Sequence, residues 1–226
     1  MFRMYLVLTL PVVFFTVMGM ASSSDRCVEF YGDKRIVAIG DSLTRGASTL
    51  FHERVYHPFT NALAVHLPRA SVETFGVNGE TTAQILDRVR NIYLSGYNKT
   101  LPAVGIVWGG TNDITLGDIS PNTTLGNLID MYEIIATKGT RCIAVTIPRA
   151  KIFNFQQEKS RRFINHGIKE FVSKVASRAA VHPTIKLLDV ADASRITLCE
   201  DGIHLSVGAY NAIGMHIFDS LCEWAL

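Results

Sequence analysis

Serine, histidine and aspartate together can turn a hydroxyl into a nucleophile near neutral pH, and this sequence carries all three in suggestive surroundings. Gly40-Asp41-Ser42-Leu43-Thr44 directly follows a short apolar run, Arg35 to Ile39, so Ser42 stands where the chain turns off a buried strand. At such a turn a hydroxyl can be exposed and a backbone N–H can face a bound oxyanion. Far along the chain, Asp201-Gly202-Ile203-His204 sets a carboxylate three residues before an imidazole. Histidine is the side chain suited to proton transfer at neutral pH, and it needs an acceptor on its second nitrogen to fix its tautomer. Asp201 can be that acceptor. Two more segments carry hydrogen-bond donors: Gly79, after Asn78, and Asn112 in Gly109-Gly110-Thr111-Asn112-Asp113. With the Ser42 N–H they would give a tetrahedral intermediate three donors.

Each segment alone also suits a structural job. Asp41, Ser42 or Asp201 can cap a helix, and glycine and Asn-Asp pairs form turns. Thr44 occupies the last position of what would otherwise be a Gly-x-Ser-x-Gly elbow. The other six histidines, His52, His57, His66, His166, His182 and His216, have no such acid beside them at a strand exit and read as surface or core residues. The occurrence of all four segments in one chain is what points to acyl transfer.

The elements that must position them alternate between apolar β-type runs and helical ones. Strands are expected over Arg35–Ile39, Ser71–Phe75, Ala103–Trp108, Cys142–Ile147 and Thr184–Val190. Helices are expected over Pro58–Leu67, Thr82–Tyr93, Thr123–Lys138 (with Gly139 as its stop), Gln156–Ala180 and from Ser206 onward. Five apolar strands separated by helices imply a parallel sheet covered on both faces, with its functional site at the carboxyl ends of the strands. All four candidate segments fall at those ends.

These blocks resemble the SGNH, or GDSL-type, hydrolase family over nearly the whole chain after its first twenty-odd residues. Gly40-Asp41-Ser42-Leu43 matches the serine block and Asn78-Gly79-Glu80-Thr81 the glycine block, with Gly76 a second glycine nearby. Gly110-Thr111-Asn112-Asp113 and Asp201-Gly202-Ile203-His204 match the remaining two. The resemblance implies an α/β, flavodoxin-like three-layer αβα sandwich with a five-stranded parallel sheet of order 2-1-3-4-5. It makes Ser42 the nucleophile, His204 the base and Asp201 its orienter. The oxyanion donors would be Ser42 N–H, Gly79 N–H and Asn112, and neither metal nor organic cofactor is implied. The family acts on small-molecule esters of lipids and acylated sugars, among others, without the fold choosing between them, and an apolar lining of the strand-end loops would favour a short or medium acyl chain. A binding or adhesion protein on the same fold, with an idle site, is the alternative.

Composition narrows the setting. The 226 residues suit one domain, and 48% hydrophobic with 19% charged residues is ordinary globular content. A net charge of +2 gives no reason to expect a nucleic-acid partner, and the local group Lys159, Arg161 and Arg162 reads as a solvated helix face. Residues 1–21 read as a signal peptide: Arg3, an uncharged run from Met4 to Met20, then small Gly19 and Ala21; the competing reading, a membrane anchor, is disfavoured because about 17 helical residues fall short of a ~30 Å hydrocarbon core. Residues 22–226 would then be one secreted, monomeric domain with no stable membrane insertion. Sequons at Asn98 and Asn122 agree with export. Of the four cysteines, Cys27 and Cys222 are expected together at the bottom of the sheet, while Cys199 lies beside the Asp201 turn with no partner assigned. Leu50, Phe51, Val55 and Tyr56 after the nucleophile, and Ile152, Phe153 and Phe155 after the fourth strand, are candidates to contact an acyl chain.

Overall fold

The computed structural model describes residues 22–95, 100–179, 184–191 and 197–225. The proposed signal peptide, the sequon at Asn98 and His182 lie outside the described residues. The sheet consists of β1 (Arg35–Gly40), β4 (Ser71–Gly76), β5 (Val104–Trp108), β6 (Arg141–Val145) and β7 (Ile185–Leu188), all parallel, in spatial order β4-β1-β5-β6-β7. Counted within this sheet alone, that is the expected order 2-1-3-4-5. The labels skip because β2 (Ala47–Leu50) and β3 (Glu53–Tyr56) form a separate antiparallel hairpin. Sequence reading expected no strand or helix there.

Alternation along each strand explains why the runs are apolar throughout. Ile36 and Ala38 of β1, Val104, Ile106 and Trp108 of β5, and Ile143 and Val145 of β6 face one core. Opposing them are α1 (Ser23–Tyr31), α3 (Phe59–His66) and α8 (Val207–Ala225). Val37, Ile39, Val107, Cys142 and Ala144 face a second core, filled from α4 (Thr82–Tyr93), α6 (Pro121–Thr137) and α7 (Phe155–Ser177). A strand buried on both faces leaves no place for a polar residue until it ends. Chemistry is thereby pushed to the exits.

Local signals set the helix ends that frame those exits. Thr81 and Gln84 form a capping box at the start of α4, and Asn154 and Gln157 form another at α7. Ser120 caps α6 with Pro121 at its first position. At the opposite end of the sheet, Cys27 of α1 and Cys222 of α8 form the expected disulfide across 195 residues. Cys142 and Cys199 are buried free thiols. Arg161 corrects an expectation: with 1% of its surface exposed it is no solvated residue. It donates to the carbonyls of Ile147 and Ala191, both at 3.1 Å, and pairs with Glu158, binding the exits of β6 and β7 to α7.

Candidate active site

β1 ends at Gly40, a position where nothing larger fits: a Cβ there would stand 1.9 Å from the Trp108 carbonyl oxygen. The chain turns, Asp41 caps the four-residue α2 (Ser42–Arg45) through Leu43 N–H at 2.9 Å, and Ser42 becomes the first helical residue. So the capping reading of this segment is correct for Asp41. It also leaves the Ser42 N–H with no acceptor inside the helix.

His204 reaches Ser42 from the far end of the chain. Its Nε2 lies 2.9 Å from Ser42 Oγ and its Nδ1 lies 2.7 Å from Asp201 Oδ2. Asp201 also folds the turn that carries the imidazole, its Oδ1 accepting from the N–H groups of Ile203 and His204, each at 2.9 Å. Partial burial raises the proton affinity of Asp201, but those N–H donors and the imidazole outweigh it, and its carboxyl lies below the ordinary range. The carboxylate is therefore ionised at neutral pH and can accept from Nδ1–H.

The turn has its own scaffold. Cys199 N–H donates to the His204 carbonyl at 2.7 Å and Ser206 N–H to Thr197 O at 2.8 Å, a miniature ladder that closes the loop. Lys151 N–H donates to Gly202 O at 2.7 Å from the loop after β6. The Cys199 thiol donates to Leu205 O at 3.0 Å and lies 3.1 Å from Ser48 Oγ of the hairpin. The hairpin thus walls one side of the turn, with Tyr56 at its other end accepting from Asn78 Nδ2 at 2.9 Å.

The donor segments follow the carboxyl ends of β4 and β5. Gly79 sits in a turn, Val77 to Glu80, at φ +80°, a conformation that favours glycine, and a Cβ there would meet nothing within 4 Å. Gly76, by contrast, ends β4 packed against Arg45, where a Cβ would come 2.2 Å from its backbone N. Asn112, second residue of α5 (Thr111–Leu116), donates one amide hydrogen to Glu80 O at 2.8 Å, leaving the second for a ligand. Asp113 anchors the same region from inside, accepting from Thr82 N–H at 2.9 Å and from the Thr82 hydroxyl.

Asp41 is the least comfortable group. It is fully buried, its Oδ2 has no hydrogen-bond partner, and burial, helped by Asp113 and Glu80 and opposed by the Leu43 N–H, pushes its pKa up to about 7. Around the rim, Phe51 at the hairpin tip and Phe155 at the start of α7 are each 87% exposed, with Leu50, Tyr56, Leu116 and Ile152 also exposed. Phe153 packs on the second core, and Trp108 is a core residue that donates to Thr146 O at 3.1 Å. His52 meets an acid after all, Glu200 at 3.3 Å, but both are solvent-exposed. Among the described residues no group of three or more His, Cys, Asp or Glu could hold a metal ion.

A doubly covered parallel sheet with a serine, an imidazole and a carboxylate in hydrogen-bonding line at its carboxyl edge has the arrangement of a serine hydrolase. More narrowly, residues 38–212 match the GDSL-like lipase/acylhydrolase family model, and the chain belongs to that family. Solved structures agree in fold. A lipase/acylhydrolase from Enterococcus faecalis superposes with a TM-score of 0.66 at 20% identity, covering 84% of this chain and 96% of that one. A member of the lipolytic G-D-S-L family from Veillonella parvula gives 0.65 at 15% identity over 82% and 96%. A GDSL-like lipase from Bacteroides thetaiotaomicron gives 0.60 at 21% over 85% and 89%. No curated protein matches the sequence.

Proposed function

We propose that the chain is a secreted serine esterase that hydrolyses small carboxylic esters through an acyl-enzyme on Ser42. The hydrogen-bonded sequence Ser42 Oγ, His204 Nε2, His204 Nδ1, Asp201 Oδ2 carries the reading. His204 takes the Ser42 proton as Oγ attacks the ester carbonyl, and Asp201 stabilises the imidazolium. Ser42 N–H, Gly79 N–H and the Asn112 amide hydrogen-bond the oxyanion, and loss of any one such donor typically slows turnover about 10²–10³-fold. The tetrahedral intermediate collapses with the proton returned from His204 to the departing alcohol. Water, activated by the same imidazole, then releases the acid.

The exposed apolar rim favours a short or medium acyl chain, from a lipid or an acylated sugar, entering from solvent. Secretion is supported by the leader-like residues 1–21, by the Cys27–Cys222 disulfide and by the exposed sequon at Asn122 in the first turn of α6. No helix among the described residues is long and apolar enough to cross a membrane. The test is hydrolysis of p-nitrophenyl acetate and butyrate by the mature protein and its covalent labelling by a fluorophosphonate. Ser42→Ala should remove at least ~10³ of the rate and all labelling. Activity persisting in that variant refutes the assignment.

A further inference from the structure

Arg88 stands on α4, away from the catalytic relay, yet its guanidinium ends among the strand exits. Nη2 donates to Gly40 O at 2.8 Å, Nη1 to Phe75 O at 2.7 Å and Nε to Glu80 Oε2 at 2.9 Å, with Nη2 shared to the same carboxylate. Gly40 lies two residues before Ser42, and its carbonyl also accepts from Val77 N–H at 3.0 Å. Phase by phase along the chain, Phe75 opens the segment that turns at Gly79. Glu80 follows Gly79 directly, and its carbonyl is the acceptor that fixes the Asn112 amide. All three segments that bear an oxyanion donor are thus fastened, directly or through Glu80, to one cation.

We propose that Arg88 is a positioning residue that sets the mutual geometry of Ser42 N–H, Gly79 N–H and the Asn112 amide. The proposal rests on the esterase reading and adds a residue to its machinery. Arginine fits the task because its planar fork directs several donors at once along fixed lines, and charge-assisted bonds of this kind are the stronger ones. With its side chain about three-quarters buried and Glu80 more so, the pair is shielded from the screening that makes surface ion pairs weak. Lysine offers three donors from one nitrogen on a flexible stem and lacks the separated planar fork that here reaches two carbonyls and a carboxylate. The consequence for catalysis is selective: substrate binding does not use these donors fully, whereas the developing oxyanion does.

The experiment compares the full chain with Arg88→Met, Arg88→Lys, Asn112→Ala, the double variant Arg88→Met/Asn112→Ala and Ser42→Ala on p-nitrophenyl butyrate. Arg88→Met is expected to lower kcat about 10²-fold with KM within about threefold. Because both changes act on one donor set, the double variant should fall no more than about threefold below Asn112→Ala. An alkyl trifluoromethyl ketone supplies a second readout. Ser42 Oγ bonds to its carbonyl carbon, the π pair moves to oxygen as an oxyanion, and the hydroxyl proton passes to His204. This adduct should form about 10² times less tightly with Arg88→Met. Losses that multiply in the double variant, or unchanged ketone affinity, overturn the proposal and leave Arg88 a purely structural residue. If Arg88→Met does not fold, Arg88→Lys carries the test: a loss in kcat of at least about tenfold supports the role, and wild-type kcat overturns it. An active Ser42→Ala overturns the esterase reading and this proposal together. An inactive Ser42→Ala beside a fully active Arg88→Met overturns only this one.

Discussion

The two sides of the candidate site are built differently. Ser42, Gly79 and Asn112 stand within a few residues of strand ends, and their turns are stitched by side chains from inside: Arg88 to two carbonyls, Glu80 to Arg88, Asp113 to Thr82. His204 and Asp201 instead sit on the connection between β7 and α8, more than ten residues past the end of its strand. Backbone bonds within the turn, one from Lys151, and the Cys199 thiol hold that loop. The serine side is built directly onto strand ends. On the base side Asp201 both shapes the turn and holds the imidazole. One residue doing two jobs is a point of weakness, and it orders the expected effects.

Asp201→Asn should be the most damaging change after loss of the serine or of the histidine. An amide can still accept from the Ile203 and His204 N–H groups, so the turn survives, but it can present N–H to Nδ1 and reverse the tautomer. Turnover on p-nitrophenyl butyrate is expected to fall about 10⁴-fold with little change in unfolding midpoint. A loss under tenfold would mean that the base side is held by something other than this carboxylate.

The nucleophile side has a different weakness, which pH exposes. Asp41 has its folded pKa raised to about 7 from 3.8, so the folded protein holds a proton that the unfolded chain releases across that interval. Stability from this group is fully present below about pH 4 and lost as pH rises through 7, by up to about 4 kcal/mol. Asp41→Asn keeps an acceptor for Leu43 N–H without the buried charge. Urea unfolding at about pH 4.5 and 8 should show wild type losing several kcal/mol relative to the variant. Parallel pH profiles would show that Asp41 finds a partner or water in solution.

How much of this was legible in sequence follows from the range of each interaction. The four blocks are local patterns, so Ser42, Gly79, Asn112, Asp201 and His204 could be nominated from sequence, and hydrogen-bond distances then join Ser42, His204 and Asp201. Cys27 and Cys222 followed from counting which way α8 runs. The hairpin was hidden because its turn residues, Phe51 and His52, take φ of +51° and +68° without the Asn-Gly or Asp-Gly pair that marks such turns. Arg161 was misread for a related reason. Helical periodicity gives the face from which a side chain leaves, not where a long guanidinium ends, and neither its carbonyl partners nor those of Arg88 are encoded nearby in the chain.

The foot of the sheet, set against its catalytic edge, sharpens the comparison further. Cys27→Ser with Cys222→Ser removes a crosslink spanning 195 residues, which in the chain-entropy view acts on the unfolded state. A loss of about 2–5 kcal/mol in urea unfolding is expected, with kcat unchanged below the transition. A fall in kcat at full occupancy of the folded state would mean that α1 and α8 transmit position to His204.

The smallest effect tests the base side without touching the relay. Cys199 is buried, and its sulfur meets Leu205 O, Ser48 Oγ and, at 3.4 Å, Thr49 N–H. It is therefore the main side-chain tie between the His204 turn and the hairpin, as Arg88 is for the other side. Cys199→Ala removes those bonds and strands a buried carbonyl, at about 1–2 kcal/mol. If the loop is held as thinly as its bonding suggests, part of that loss appears as misplacement of the imidazole, and kcat should fall about tenfold. Cys199→Ser restores a donor of nearly the same reach and should recover most of the rate. The serine variant separates position from packing: recovery by a hydroxyl of smaller volume shows that the hydrogen bonds matter, whereas equal losses in both variants would assign the effect to the volume of sulfur.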